Sequence, residues 1–170
     1  MGLRQRFDPK KAVEAILYVA ADTGNVYTIL KVLNFADKAH LARYGRFITG
    51  DVYVAMRHGP VPSGAYDIIK QARGDGWAAF PEPVEQAFQV EHNNVRPLRP
   101  ANTRLLSASD VECLDETVAH YGHLSFSKLR AISHRDPAYR ASDENDRISV
   151  EAIAATLPDS DALLDYVRDA

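Results

Sequence analysis

Residues 50–69 read GDVYVAMRHGPVPSGAYDII, and the interpretation of this stretch decides the fold. Val52 and Val54 alternate with Tyr53 and Ala55 in a strand-like way, over too few residues to separate strand from helix. Gly59-Pro60-Val61-Pro62 follows. Proline lacks a backbone N–H and disfavours helix at the residue before it, so no helix continues through this point. Ser63 is a suitable N-cap for a new helix carrying Tyr66, Ile68, Ile69 and Ala72. The stretch is expected to be a rigid corner between two helical halves, its prolines restricting the unfolded chain. Such a corner serves packing, because turns need these residues for backbone reasons alone, or holds one shape for binding. Composition leaves both readings open.

On the N-terminal side, Asp8-Pro9 places a capping residue before a proline whose missing N–H costs nothing at the first helical position. Ala12, Val13, Ile16, Leu17 and Ala20 then share one helical face. After Asp22-Thr23-Gly24, the spacing predicts a second helix from Val26 to Arg43, largely buried and closed by Gly45. Its polar residues Lys31, Asn34, Asp37, Lys38 and His40 fall on no single face, and the pattern favours a solvated stripe over an approach to the core.

On the C-terminal side, Phe88 and Val90 alternate with polar neighbours, and Asn93-Asn94 can take the left-handed conformations of a tight turn. This predicts a short β-hairpin with Pro97 on an edge strand. Ser107 and Asp110 suit a capping box, and Gly122 stops the helix that they begin. A shorter helix from Ser125 to about Ser133, a break at Asp136-Pro137, a helix capped by Ser149 and a last segment from Asp161 to Val167 complete the reading. The expected fold is mainly α: a single helical domain over residues 1–170 with a small β-hairpin, α+β at most.

Composition narrows the function classes. The 170 residues carry 20 Lys and Arg against 23 Asp and Glu, a formal charge of −3, which gives no whole-chain attraction to nucleic acid or an anionic membrane. No apolar run reaches the length of a membrane span, and the first residues do not read as an export signal; a cytoplasmic location is expected. Cys113 is the only cysteine, so no intrachain disulfide or thiolate cluster can form.

Motifs of catalysis are missing as well. Neither GxxxxGK[ST] nor GxGxxG occurs. His120 and His123 straddle Gly122 without the spacing of a helical metal pair, and Cys113 between Val111 and Leu114 reads as a core filler. Asp110, Glu112, Asp115 and Glu116 suit a helix N-terminus and a wet face. No enzyme, cofactor or metal is expected. The run 110–134 is helix, turn, helix, with Lys128 and Arg130 on the second helix, so a DNA-binding regulator is the alternative reading. The acidic first helix and the overall charge argue against it.

Two stretches, 31–69 and 106–139, resemble the Panacea domain, the SocA-like antitoxin family. The ordered set Phe35-Ala36-Asp37, Tyr44-Gly45, Thr49-Gly50-Asp51, Gly59-Pro60-Val61-Pro62, Tyr121-Gly122 and Ser133-His134 carries the resemblance. The chain departs from the family pattern at Asn34 and His58, which are more often aromatic, and at Tyr139, more often tryptophan. The resemblance implies a cytoplasmic prokaryotic or phage antitoxin that binds a cognate toxin. It would act by sequestering the toxin or by delivering it to a ClpXP-type protease, and either route needs an interface rather than a catalytic residue. Tyr53, Arg57, His58, Val61, Pro62, Tyr66 and Trp77 are the candidate contacts, being at or near the corner and of types that dominate interface hot spots.

Overall fold

A computed structural model describes residues 6–76 and 84–169. Helix α1 (Pro9–Ala20) starts at Asp8, whose carboxylate accepts from the Lys11 N–H. Helix α2 (Val26–Tyr44) is capped by Asn25 and ends at Gly45, where φ of 77° needs the freedom of glycine. Helix α1 starts at the expected Asp8 cap, and α2 follows the expected span to the expected stop at Gly45.

The stretch 50–69 does not make a corner. Strands β1 (Tyr53–Met56) and β2 (Gly59–Pro62) form an antiparallel hairpin around the two-residue turn Arg57-His58. Register explains how β2 tolerates two prolines. Pro60 lies opposite Ala55 and Pro62 opposite Tyr53. Ala55 directs its N–H and C=O away from β2, to Asp146 and Asn145, while the Val52 carbonyl accepts from Ser63. The prolines therefore occupy the non-hydrogen-bonded positions of an edge strand, where no donor is asked of them.

Helix α3 (Ser63–Arg73) follows directly. Ser63 is its first residue and not its cap, because Pro62 holds that position without a side-chain bond. Asp51 does the capping from across the hairpin, accepting from the Gly64 and Ala65 N–H groups at 2.8 and 2.9 Å. A second hairpin joins β3 (Phe88–Glu91) to β4 (Asn94–Pro97), as the alternation predicts. Its left-handed residue is His92, φ 58°, rather than either asparagine.

Helix α4 (Ala108–Tyr121) begins with the expected capping box of Ser107 and Asp110, and packs along α2. Helices α5 (Phe126–His134) and α6 (Pro137–Arg140) lead to strand β5 (Arg147–Ile148), which pairs with the free edge of β1 to give the sheet order β2-β1-β5. Helices α7 (Val150–Ala154) and α8 (Ser160–Asp169) close the chain. The architecture is mainly α with a small β part. One apolar cluster joins α1, α2, α3 and the β3–β4 hairpin to Cys113 and Leu114, and a second gathers Leu41, Phe47, Tyr53, Ala55, Ile148, Ile153 and Val167.

Candidate functional site

The polar residues of α2 are not a solvated stripe. Lys31, Asn34, Asp37 and His40 are buried; distant segments supply partners to Lys31, Asp37 and His40, while Asn34 Oδ1 has no hydrogen-bond partner among the described residues. Asp37 accepts from the Ile48 N–H at 2.7 Å and the Tyr53 hydroxyl at 2.6 Å. Burial pushes its carboxyl up to about 7 against the pull of those two bonds. His40 lies between the Arg46 carbonyl and Ser109 Oγ. Lys31 donates to the Pro60 carbonyl at 2.8 Å and sits 5.2 Å from the centre of the Tyr27 ring. Burial, with Lys38 adding to it, pulls Lys31 down to about 7. Lys38 itself is half-buried and pairs with Asp136.

Asp110 is likewise interior rather than on a wet face, bonded to Lys11, Arg46 and the Ser107 N–H. Burial works against its charge, but Lys11 and Ser107 hold the carboxyl below the usual carboxylate range. Glu112 and Glu116 are exposed and clasp Arg43, and Asp115 accepts from the Tyr18 hydroxyl. Cys113 is fully buried, and burial pushes its thiol up, away from thiolate chemistry. Among the described residues no group of three His, Cys, Asp or Glu side chains could share a metal ion. No helix among them is long and apolar enough to cross a membrane.

The exposed chemistry gathers at the β1–β2 turn. Side chains from three helices hold its successive carbonyls. Tyr139 of α6 donates to Met56 O at 2.6 Å, His134 of α5 meets Arg57 O at 3.1 Å, and Tyr27 of α2 donates to His58 O at 2.8 Å. Lys31 holds Pro60 O from below. The turn is fixed through its backbone, with the Arg57 side chain exposed and His58 half-buried against Tyr27 and Phe126. Arg130 Nε donates to His58 Nδ1 at 3.0 Å, so the ring carries its proton on Nε2. Desolvation, then Arg130 and Arg57, lower the His58 titration.

Beside the turn lies a groove of about 790 Å³. Tyr27, His58 and Phe126 form one wall, with ring centres 4.5 Å apart for Tyr27–Phe126 and 5.2 Å for His58–Phe126. Val26, Leu30 and Val61 contribute apolar surface, and Tyr66 and Arg73 of α3 also line it. Phe126 remains 48% exposed.

Of the candidate contacts, Arg57, His58, Val61 and Tyr66 come together at this groove. Tyr53 is instead an interior residue, 2% exposed, whose hydroxyl is spent on Asp37. Pro62 is buried too, on a small internal void lined by Asp37 and Asp51. Trp77 lies outside the described residues. Sequence reasoning missed Tyr27 and Phe126 as contacts and placed Arg130 only in the DNA-binding alternative. The one local signal of Tyr27 and Phe126 is that both are aromatics close to a helix N-cap, which by itself does not tell an exposed ring from a core one.

The helix pair 110–134 forms, but its cations are partly engaged. Arg130 turns toward His58, and the exposed acids of α4 hold Arg43. No curated protein and no solved structure matches the chain. The model of the family described as antitoxin SocA-like, Panacea domain, matches residues 29–139, from inside α2 to the Tyr139 that holds the β1–β2 turn. That match covers well over half of the chain, and the protein therefore belongs to the SocA-like antitoxin, Panacea domain family.

Proposed function

We propose that this chain, acting as one domain in the cytoplasm, is the antitoxin of a toxin–antitoxin pair and neutralises its toxin by direct binding at the groove beside the Arg57-His58 turn. The observation that carries the reading is the clamped turn. Four carbonyls held by Tyr139, His134, Tyr27 and Lys31 fix the backbone, so the exposed side chains are presented without an ordering cost at binding. Aromatic and arginine side chains around an apolar floor are the composition of an interface hot spot. The reading needs no catalytic step from this chain.

Co-expression tests it. Each open reading frame beside the gene is expressed with and without this chain, in protease-proficient and in ClpXP-deficient cells, and growth and toxin level are followed. Sequestration gives rescued growth with the toxin still present in both strains. Rescue that requires ClpXP and removes the toxin would assign the chain to delivery for proteolysis instead. No toxic neighbour at all would remove the antitoxin reading.

A further inference from the structure

Resting on that reading, we propose that the groove receives an acidic segment of the toxin bearing one large apolar side chain, its carboxylates meeting Arg57 and its apolar side chain seated against Tyr27 and Phe126.

Charge is the first argument. The chain has more Asp and Glu than Lys and Arg, 23 against 20, yet among the described residues no carboxylate lines the groove, while Arg57, Arg73, His58 and His123 do. Arg73 is already paired with Asp75. Arg57 and the Arg130 behind His58 have no carboxylate within ion-pair distance among the described residues. The lowered titration of His58, caused by burial and by these two guanidinium groups, agrees with an uncompensated positive field at the turn. An arriving carboxylate removes that repulsion and finds a planar donor already in place.

Shape is the second. The edge-on contact of His58 with Phe126 and the tilted contact of Tyr27 with Phe126 leave the phenyl ring half in solvent above Val26 and Leu30. A ring so placed is completed by one inserted apolar side chain. A cationic rim beside an aromatic wall also suits a single-stranded nucleic acid, whose bases stack on such rings, so the extent of the charged track decides between peptide and nucleic acid. A nucleic-acid track needs cations continued along the surface for successive phosphates. Here Arg57 is the one arginine of the groove lining without a carboxylate partner among the described residues, and the chain as a whole is acidic.

The test uses fluorescein-labelled peptides of about twelve residues, long enough to cross the groove at ~3.3 Å per residue. One is rich in Asp and Glu around a central Trp, one replaces the acids by Asn and Gln, one replaces them by Lys, and a single-stranded oligo-dT serves as a polyanion without apolar side chains. The full chain is expected to bind the acidic peptide at least ~10-fold more tightly than its neutral twin, with the preference shrinking as salt is raised. Arg57→Glu is expected to abolish the preference while leaving the thermal melt in place, and Phe126→Ala is expected to weaken the acidic peptide. Equal or tighter binding of the neutral or Lys peptide, absence of binding by all of them, or tighter binding of oligo-dT would each overturn the inference. In the growth assay, rescue by wild type and equally by Arg57→Glu leaves the antitoxin reading standing and removes the acidic occupant. Failure of wild type to rescue against any neighbour removes the antitoxin reading, and the peptide series then judges the groove by itself.

Discussion

Lys31 Nζ donates to the Pro60 carbonyl at 2.8 Å from a side chain with no solvent exposure. Pro60 sits at a non-hydrogen-bonded position of an edge strand, so its carbonyl points away from β1 and would otherwise be a buried, unpaired acceptor. Gly59 lets the amine approach, since a Cβ there would lie 2.6 Å from Nζ and 2.7 Å from Ser133 Cβ. The Gly-Pro-Val-Pro segment, Lys31 of α2 and the end of α5 thus form one construction, and the groove stands on it.

Burial of Lys31 gives stability a signature in pH. The unfolded lysine titrates near 10.5 and the folded one near 7. Between these values the unfolded chain holds the proton and the folded chain does not, so this group makes stability rise with pH through that window. Lys31→Met is expected to remove that rise. Urea denaturation at about pH 7, 8 and 9 measures it, and parallel profiles for the two proteins would contradict the assignment.

Asp37 acts with the opposite sign. Its folded carboxyl titrates near 7 and its unfolded one near 3.8, so its contribution is complete at low pH and is lost as pH rises through the folded value. Asp37→Asn resembles the protonated acid. It is expected to be nearly neutral at about pH 4 and to flatten the decline toward pH 7. Asp37→Ala leaves the Ile48 N–H and the Tyr53 hydroxyl buried without an acceptor, and is expected to cost about 2–4 kcal/mol.

Asp51 supplies the cap of α3 from across the hairpin. Its carboxylate serves the Val52, Gly64 and Ala65 N–H groups, and Asp51→Ala is expected to cost about 1–3 kcal/mol, read from the denaturation midpoint at constant slope.

At the turn, backbone and side chains have different tasks. Gly59→Ala meets Lys31 and Ser133 at a φ of 121° and is expected to destabilise by about 2 kcal/mol or more. Arg57→Ala and His58→Ala keep every carbonyl contact of the turn and are expected to shift the melt by less than about 1 kcal/mol. A large loss from either would make the turn side chains structural.

Local chemistry was legible in the sequence, and long-range pairing was not. Asp8, Ser107 and Ser149 cap the helices expected of them, a matter of neighbours three residues away, whereas Ser63 yields its cap position to Pro62. The prolines of β2 read as a corner, because only the register with β1, and the use of Ala55 by β5, shows that their missing donors are not needed. The α2 polar residues read as solvated because Ile48, Tyr53, Pro60 and Ser109 come to them from elsewhere in the chain. The groove divides in the same way. Arg57, His58, Val61 and Tyr66 are close in sequence, whereas Arg130 reaches His58 across 72 positions.

The most direct measurement is calorimetric titration of the toxin identified by growth rescue into the purified chain, wild type and Phe126→Asp, each checked by its melt. Saturable binding by wild type and its loss in the equally stable variant are the expected result. Rescue in cells without measurable binding, or equal binding by Phe126→Asp, would contradict neutralisation through this groove.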